Sequence, residues 1–227
     1  MTDRALAHSA GMQNDVALVE ATLNCALCPR LSAFLAQHRV TSPEWHNAPV
    51  RSFGPETARL LIVGLAPGLK GANRTGRPFT GDYAGDLLYA TLIEYGFSQG
   101  IFEARADDSL SLNGCMITNA VRCVPPDNKP TPAEIKTCRQ FLSARIAALP
   151  NLSVIVALGR IAHQSTVAAF GLKQKDFMFA HGAKHAAPNG VTLFDSYHCS
   201  RYNTNTGVLT TEMFRRVFAD VQKTLGS

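Results

Sequence analysis

The chain has 227 residues, of which 46% are hydrophobic and 17% charged, and its formal net charge at pH 7 is +5. We expect residues 1–227 to form a single domain with a sizeable core, because no linker-like stretch or block of charge divides the sequence. No apolar run reaches the roughly 20 residues that span a bilayer, which excludes an integral membrane protein. The first residues lack the apolar core of a signal peptide, so a cytoplasmic location is expected. The mild basic bias fits a polyanionic partner but does not identify one.

Four short apolar runs predict buried β-strands. Three of the four are almost continuously apolar, which is typical of parallel strands covered on both faces. The predicted strands are residues 59–65, 115–121, 153–159 and 191–198.

Helical patterns alternate with these strands. Thr131, Pro132 and Glu134 form a helix-start signal with a capping box. At the front of the chain, residues 14–38 predict two helices separated by a break that contains cysteines. The alternation predicts an α/β fold, a three-layer α/β/α sandwich around a central four-stranded, mainly parallel sheet. The later predicted helices are residues 84–96, 131–149, 160–171 and 210–226.

Polar and glycine-rich segments follow three of the predicted strands. Residues 64–82 follow the first strand, residues 119–123 end the second, and residues 198–207 follow the fourth. In parallel α/β sheets, ligands bind at the carboxyl ends of the strands. The sequence therefore predicts one functional site where these three segments meet.

Four of the six cysteines form a pattern. Cys25 and Cys28 are a CxxC pair, whereas Cys123 and Cys138 are separated by 14 residues. In a cytoplasmic protein such a set indicates metal or redox chemistry rather than disulfides. Four thiolates can hold zinc or an iron–sulfur cluster, although each cysteine alone could be a small core residue. We predict a structural metal centre that ties the N-terminal helices to the sheet.

Three long segments resemble motifs of the iron–sulfur uracil-DNA glycosylases, in particular family 5, the type B branch. CALC at 25–28 with NAVRCVPPDNKPTPAEIKTC at 119–138 is similar to the cluster framework of families 4 and 5. GLAPGLKGANRTGRPFTGD at 64–82 and YHCSRYNTNTGVLT at 197–210 are similar to the two active-site motifs of family 5. The resemblance covers most of the chain. It implies a structural [4Fe–4S] cluster on Cys25, Cys28, Cys123 and Cys138, with zinc as the alternative.

The resemblance also implies a pocket for a base flipped out of DNA. Phe79 would stack on the base, and Asn119 would contact its hydrogen-bonding edge. His198 would donate to the base carbonyl on which negative charge develops. Asp82 would stabilise the cationic sugar and position a water. The predicted catalytic residues are Asp82, Asn119 and His198, and the predicted base-binding residues are Gly64, Ala66, Pro67, Phe79, Asn119 and His198.

Polar residues at the rim of this pocket are predicted to contact the DNA backbone. Each alone would be typical of a solvated surface, and only their clustering favours the interface. The chain departs from the family at Cys199, where proline is usual, and at Val208, where arginine is common. We expect Cys199 to loosen the loop that positions His198 and its thiol to be open to oxidation. The predicted backbone contacts are Arg74, Arg77, Ser200, Arg201, Asn203 and Thr204.

The function implied is that of a monofunctional DNA glycosylase in base excision repair. It would excise uracil and other deaminated bases, such as hypoxanthine and xanthine, and leave an abasic site. Lys70 is near the motif, but the resemblance gives it no role as a Schiff-base nucleophile. The alternatives are a family 4-like enzyme specific for uracil and a non-catalytic iron–sulfur module that binds nucleic acid. The expected partner is DNA with deaminated bases, bound by a cytoplasmic monomer that associates with the nucleoid when engaged.

Overall fold

A five-stranded sheet forms the centre of the computed structural model, which describes residues 19–226. The strand order is β4-β1-β5-β7-β6, and a separate antiparallel pair is formed by β2 and β3. The strands are β1 (Leu60–Gly64), β2 (Ser98–Gln99), β3 (Ser111–Leu112), β4 (Cys115–Asn119), β5 (Val154–Leu158), β6 (Lys184–Ala186) and β7 (Thr192–Ser196).

The four predicted strands are confirmed as the parallel strands β1, β4, β5 and β7. The expected count of four was wrong by one, because β6 adds an antiparallel edge to β7. This edge strand has three residues, of which the outer two are exposed, so it carries no apolar run that the sequence could reveal. The parallel register places Gly64 beside Asn119 and Leu158 beside Ser196. The carboxyl ends of these strands therefore lie along one edge of the sheet.

The four later helices are also confirmed, with ends within two residues of those expected. Thr131 accepts a hydrogen bond from the Glu134 backbone N–H, and the Glu134 side chain accepts one from the Thr131 N–H, which completes the predicted capping box. Of the two N-terminal helices, the first lies largely outside the described residues, and the second runs to Thr41. The helices are α1 (Pro29–Thr41), α2 (Ala72–Thr75), α3 (Tyr83–Glu94), α4 (Pro132–Ala148), α5 (Arg160–Ala169), α6 (Arg201–Asn205) and α7 (Thr211–Leu225).

Alternate residues of each central strand pack on opposite faces of the sheet, which produces the three layers. On one face, Leu60 and Ile62 belong to a core with residues of α3 and α7. On the other face, Leu61 and Val63 belong to a core with residues of α4 and α5. A third cluster packs α1 against the start of α4 and the segment after β4, around the cysteines.

No helix within residues 19–226 is both long and apolar enough to cross a membrane.

Candidate active site

A pocket opens at the carboxyl ends of β1, β4 and β7. It brings together the four side chains predicted to act on a base and its sugar. Gly64 lies behind the pocket wall, since a Cβ there would be 2.4 Å from Asn119 Oδ1 and 2.7 Å from the Phe79 ring. The absence of a side chain at Gly64 thus lets both residues pack against β1. The lining residues are Ala66, Pro67, Gly68, Ala72, Phe79, Asp82, Ala84, Asn119 and His198.

Phe79 is buried and has a left-handed backbone, with φ of 52°. Such a conformation is costly for an aromatic residue and persists only where its surroundings enforce it. The Phe79 carbonyl packs on Gly85 of α3 so closely that a Cβ at Gly85 would lie 1.9 Å from the oxygen. The Phe79 ring faces the His198 ring at a centroid distance of 5.9 Å and an interplanar angle of 26°. One aromatic face is therefore held rigidly against the pocket.

Asp82 immediately precedes α3, but its carboxylate does not cap the helix. Instead it packs on two glycines, where a Cβ at Gly71 would lie 2.2 Å and one at Gly68 2.9 Å from Asp82 Oδ2. Asp82 Oδ1 is buried and has no hydrogen-bond partner among the described residues. Burial raises the pKa of Asp82, while the backbone amides of Gly85 and Ala84 act in the opposite direction. Asp86, the other acid close in sequence, is exposed in the first turn of α3.

Asn119 ends β4 and is buried, and its Oδ1 also has no hydrogen-bond partner among the described residues. A buried unpaired amide oxygen is costly, so it indicates a group that a ligand would satisfy. Burial lowers the pKa of His198 to about 4, which leaves the imidazole neutral near pH 7. The His198 carbonyl accepts a hydrogen bond of 2.8 Å from Asn203 Nδ2. Asn203 thus holds the loop that presents His198.

Arg77 does not lie at the rim, and its predicted phosphate contact was wrong. Its side chain is only 5% exposed and pairs with Asp108 through two hydrogen bonds, of 2.7 and 2.8 Å. The guanidinium also faces the rings of Phe53, Tyr89 and Phe102. A cation with all these partners inside the protein is not available to DNA.

The other predicted backbone contacts divide into two groups. Arg74 and Arg201 are exposed, and Arg201 lies over the Tyr83 ring at 5.2 Å. Ser200 and Thr204 are engaged in the short helix α6, where Ser200 Oγ accepts from the Asn203 N–H and Thr204 Oγ1 donates to the Ser200 carbonyl. The two arginines are therefore the exposed cations of the predicted set, and neither forms an ion pair with the other described residues.

Cys199 does not have the accessibility expected of it. The residue is fully buried and its Sγ lies 3.4 Å from the Ala84 carbonyl, to which it donates. Burial raises the pKa of the thiol, which disfavours the reactive thiolate. The expected oxidation site was wrong, because Cys199 is part of the packing between α3 and the loop after β7.

Four cysteines from three parts of the chain line one cavity. Cys25 and Cys28 precede α1, Cys123 follows β4, and Cys138 lies in α4. All four are free thiols. The pKa of Cys123 is raised by burial and by the proximity of the other three sulfurs, and that of Cys138 is raised to about 11. Four thiolates around one cavity would require a cation to balance their charge.

The spacing of these sulfurs bears on which metal they fit. A tetrahedral zinc with Zn–S bonds of 2.3 Å requires sulfurs about 3.8 Å apart. Within residues 19–226, however, no three cysteine sulfurs lie within 4.8 Å of one another, since the one group that meets this criterion is His163, His185 and Asp195. The cysteines are therefore spread more widely than a single zinc ion requires. An iron–sulfur cluster, whose ligands bind different corners, tolerates wider spacing.

A buried ion network beside the cysteines was not found from the sequence. Arg122 is 1% exposed, and its backbone N–H donates to Cys138 Sγ at 3.2 Å. Its guanidinium donates to Ser52 and Thr118 and lies 3.6 Å from Glu20, which also pairs with Arg145. The partners are up to 125 residues apart in the chain, so no local pattern could reveal them.

The comparisons with known proteins agree with this geometry. The family model described as the uracil DNA glycosylase superfamily matches residues 51–222. A type-5 uracil-DNA glycosylase of Thermus thermophilus is 45% identical over 216 residues, which cover 92% of this chain and 98% of that protein. One from Pyrobaculum aerophilum is 37% identical, covering 89% and 91%. A type-4 uracil-DNA glycosylase of Archaeoglobus fulgidus is 37% identical over only 55% of each chain. With its pocket at the strand ends and relatives matched end to end, this chain belongs to the uracil DNA glycosylase superfamily, as a type-5 member that hydrolyses N-glycosidic bonds.

Proposed function

We propose that this protein excises uracil from DNA, with Asp82, Asn119 and His198 as its catalytic residues. The observation that carries the proposal is the pair of buried oxygens, Asp82 Oδ1 and Asn119 Oδ1, that lack partners on the wall of one pocket. Both oxygens accept hydrogen bonds, one suited to a nucleobase N–H and the other to a water. Phe79 offers a ring face to a base that has lost its stacking neighbours in DNA.

His198 and Asn119 act on the base. As the bond between sugar C1′ and base N1 breaks, its electron pair moves onto the base, and negative charge develops on the carbonyl oxygens. A neutral imidazole donates one N–H to such an oxygen without first losing a proton. The low pKa of His198 keeps it in this neutral form. The Asn119 amide accepts from the base N–H and donates to a carbonyl, which orients the uracil edge.

Asp82 acts on the sugar. Loss of the base leaves positive charge shared between C1′ and the ring oxygen, and a nearby carboxylate stabilises it. The same carboxylate accepts a hydrogen bond from the water that adds to C1′. The water oxygen bonds to C1′, its proton passes to Asp82 and then to solvent, and the uracil anion takes a proton from solvent. The products are free uracil and an abasic site.

Arg74 and Arg201 hold the DNA backbone beside the pocket. Both are exposed and unpaired with carboxylates among the described residues. Losing both should weaken binding to every DNA sequence alike and reduce the salt dependence of binding. The corresponding change at Arg77 should instead affect folding, because Arg77 is buried.

Cys25, Cys28, Cys123 and Cys138 hold a structural [4Fe–4S] cluster in this proposal. The wide spacing of the sulfurs supports it over zinc. The cluster would supply cross-links between α1, β4 and α4, and it takes no part in the glycosidic step. Protein purified without air should carry about four irons per chain. Cys138→Ser should lose them, whereas Cys115→Ala, at a buried cysteine outside the set, should keep them.

Other deaminated bases, such as hypoxanthine and xanthine, are further proposed substrates. Ala66, Gly68 and Ala72 are among the residues that line the pocket, and their short side chains support this part of the proposal. Because the substrate is chromosomal DNA, we expect a cytoplasmic monomer that works on the nucleoid.

A duplex with a single uracil tests the proposal. Alkali should break the labelled strand at the uracil after incubation with the protein, whereas the matched thymine duplex should stay intact. Asp82→Ala should lose this activity, and Asp86→Ala, which removes an exposed acid one turn away, should keep it. Binding of the uracil duplex without abasic sites would favour the non-catalytic module instead. Equal activity of the two variants would remove Asp82 from the mechanism.

A further inference from the structure

Two histidines and one aspartate meet in the interior, away from the base pocket. His163 lies in α5, His185 in β6 and Asp195 in β7. Their candidate ligand atoms all lie within 4.8 Å of one another. His163 Nδ1 is 2.7 Å from Asp195 Oδ1, and His185 Nε2 is 3.0 Å from Asp195 Oδ2. We propose that these three residues form a second metal site that binds zinc, with water as its fourth ligand.

The outer side of the His163 ring has the partner that metal-binding histidines usually have. His163 Nε2 lies 2.8 Å from the Phe177 carbonyl, so this nitrogen carries the proton and donates it. A ligating histidine almost always donates its other N–H to a carbonyl or carboxylate, which fixes the ring and makes the ligating nitrogen more basic. Because His163 Nε2 is engaged with the Phe177 carbonyl, Nδ1 is the nitrogen that faces Asp195 and would bind the ion.

The spacing of the two rings also fits one ion. Two imidazoles on a tetrahedral zinc, with Zn–N bonds of 2.0–2.1 Å, have ring centroids about 5 Å apart. The His163 and His185 centroids are 5.4 Å apart, with the rings inclined at 60°. The two imidazole nitrogens face different oxygens of Asp195, at 2.7 and 3.0 Å, and an ion bound between them would widen these separations toward about 3.3 Å.

The site is buried, so the carboxylate of Asp195 needs a positively charged partner. The side chains of His163 and Asp195 are 1% and 0% exposed, and His185 is 14% exposed, so His185 marks the side by which an ion enters. A carboxylate inside a sheet is costly unless it is paired or bound to a metal. The ring of Phe179 packs against His163 and the ring of Phe177 against His185. Zinc there would fasten the edge strand β6 and the helix α5 to β7.

The proposal is tested by measuring zinc uptake by protein whose four cluster cysteines already hold iron. Protein purified without air and freed of loose metal is titrated with zinc chloride, and bound zinc and iron are measured after desalting. Wild type should bind one zinc per chain beyond its iron. At free zinc about 100 times the dissociation constant, the midpoint of thermal unfolding should rise by roughly 5–10 °C.

His185→Asn should lose both the zinc and the thermal shift, while keeping its iron and its uracil excision. His181→Asn is the matched control, because it removes a histidine of the same segment that is outside the group of three. The zinc X-ray absorption spectrum of wild type should show only nitrogen and oxygen ligands near 2.0–2.1 Å. Sulfur ligands at 2.3 Å, equal zinc in wild type and His185→Asn, or no zinc in wild type would overturn the proposal.

Discussion

Arg77 and Asp108 form a buried ion pair close in sequence to Phe79, the residue proposed to stack on the base. Both guanidinium Nη atoms donate to the Asp108 carboxylate, at 2.7 and 2.8 Å, and Arg77 Nε donates to Thr80 Oγ1 at 2.8 Å. Asp108 also accepts from the backbone N–H groups of Glu103 and Leu110. Arg77 lies two residues before Phe79, whose backbone is left-handed. The pair therefore ties the segment that carries Phe79 to the loop around Asp108.

Asp108→Asn should destabilise the fold and impair excision together. It leaves the Arg77 charge buried without a counter-charge, which costs about 3–5 kcal/mol in comparable pairs. Urea unfolding measures this loss, with Asp107→Asn as the control, since the Asp107 side chain is 82% exposed. The control should change stability by less than about 0.5 kcal/mol. Equal midpoints for the two variants would mean that the pair does not hold the loop.

The same pair predicts how stability depends on pH. Hydrogen bonds from Arg77 lower the pKa of Asp108 to about 2, from an ordinary value of 3.8. Because the folded pKa is the lower one, the pair contributes fully above pH about 4 and is lost as pH falls through 2. The difference in unfolding free energy between wild type and Asp108→Asn should shrink over this window. A difference that stays constant down to pH 2 would show that the charge of Asp108 is not what stabilises the loop.

The glycines beneath Asp82 should be needed for activity and not for folding. A Cβ at Gly71 would lie 2.2 Å from Asp82 Oδ2 and 2.7 Å from its carboxyl carbon, so Gly71→Ala should displace the whole carboxylate. At Gly68 only the outer oxygen is close, at 2.9 Å. We expect single-turnover excision to fall strongly in Gly71→Ala and mildly in Gly68→Ala, with both midpoints of unfolding near wild type. The reverse order of the two rates would contradict this placement of Asp82.

The pH dependence of excision should show an acid limb and no neutral one. Burial raises the pKa of Asp82 above its ordinary value of 3.8. In the proposed mechanism only its carboxylate form is active, so the rate should rise as pH passes that pKa. The pKa of His198 is about 4, so its neutral form is already complete near pH 6. His198 should therefore add no limb of its own to the single-turnover rate between about pH 6 and 8. A rate that falls as pH rises across that range would indicate that excision requires a protonated His198.

Much of the sheet could be predicted because its strands carry their own signal. The apolar runs around Ile62 and Val156 appear in the sequence at the positions where the structure has β1 and β5. The meeting of Phe79, Asp82, Asn119 and His198 followed from the rule that parallel strands end at one edge. Phe79 lies in a polar, glycine-rich segment and is nevertheless buried. This could not be predicted, because its left-handed backbone depends on packing against Gly85.

Features built from distant partners could not be predicted. Arg77 is an arginine in a glycine-rich loop, which is typical of a phosphate contact. It is buried because it pairs with Asp108, 31 residues later in the chain. His185 lies in an edge strand too short to carry a pattern, so its approach to Asp195 had no signal in the chain. In each case contacts with distant residues determine the surroundings of a polar side chain, while the local sequence indicates a solvated loop.

Alanine substitution of each of the three proposed catalytic residues should slow excision, and the factor should depend on the base differently for each residue. Asp82 acts on the sugar, which is the same in every substrate, so Asp82→Ala should slow excision of uracil and hypoxanthine by similar factors. His198 and Asn119 contact the base, and uracil and hypoxanthine present their carbonyl and N–H groups differently. Losing one preorganised donor costs about 2.7–4 kcal/mol in studied enzymes, so His198→Ala should be severe, with a penalty that varies between the bases.

The loss of excision rate in Asn119→Ala should differ most between the two bases, because the amide both donates to and accepts from the base edge. Single-turnover rates of all three variants on uracil and hypoxanthine duplexes measure the pattern, provided that wild type excises both. Binding of uncleaved damaged DNA should be largely kept in Asp82→Ala, which separates a chemical defect from a binding defect. If Asp82→Ala slowed one base far more than the other, Asp82 would be contacting the base and the water would need another partner. Asn119 would then be the nearest candidate, since its Oδ1 is the other unpartnered oxygen on the pocket wall.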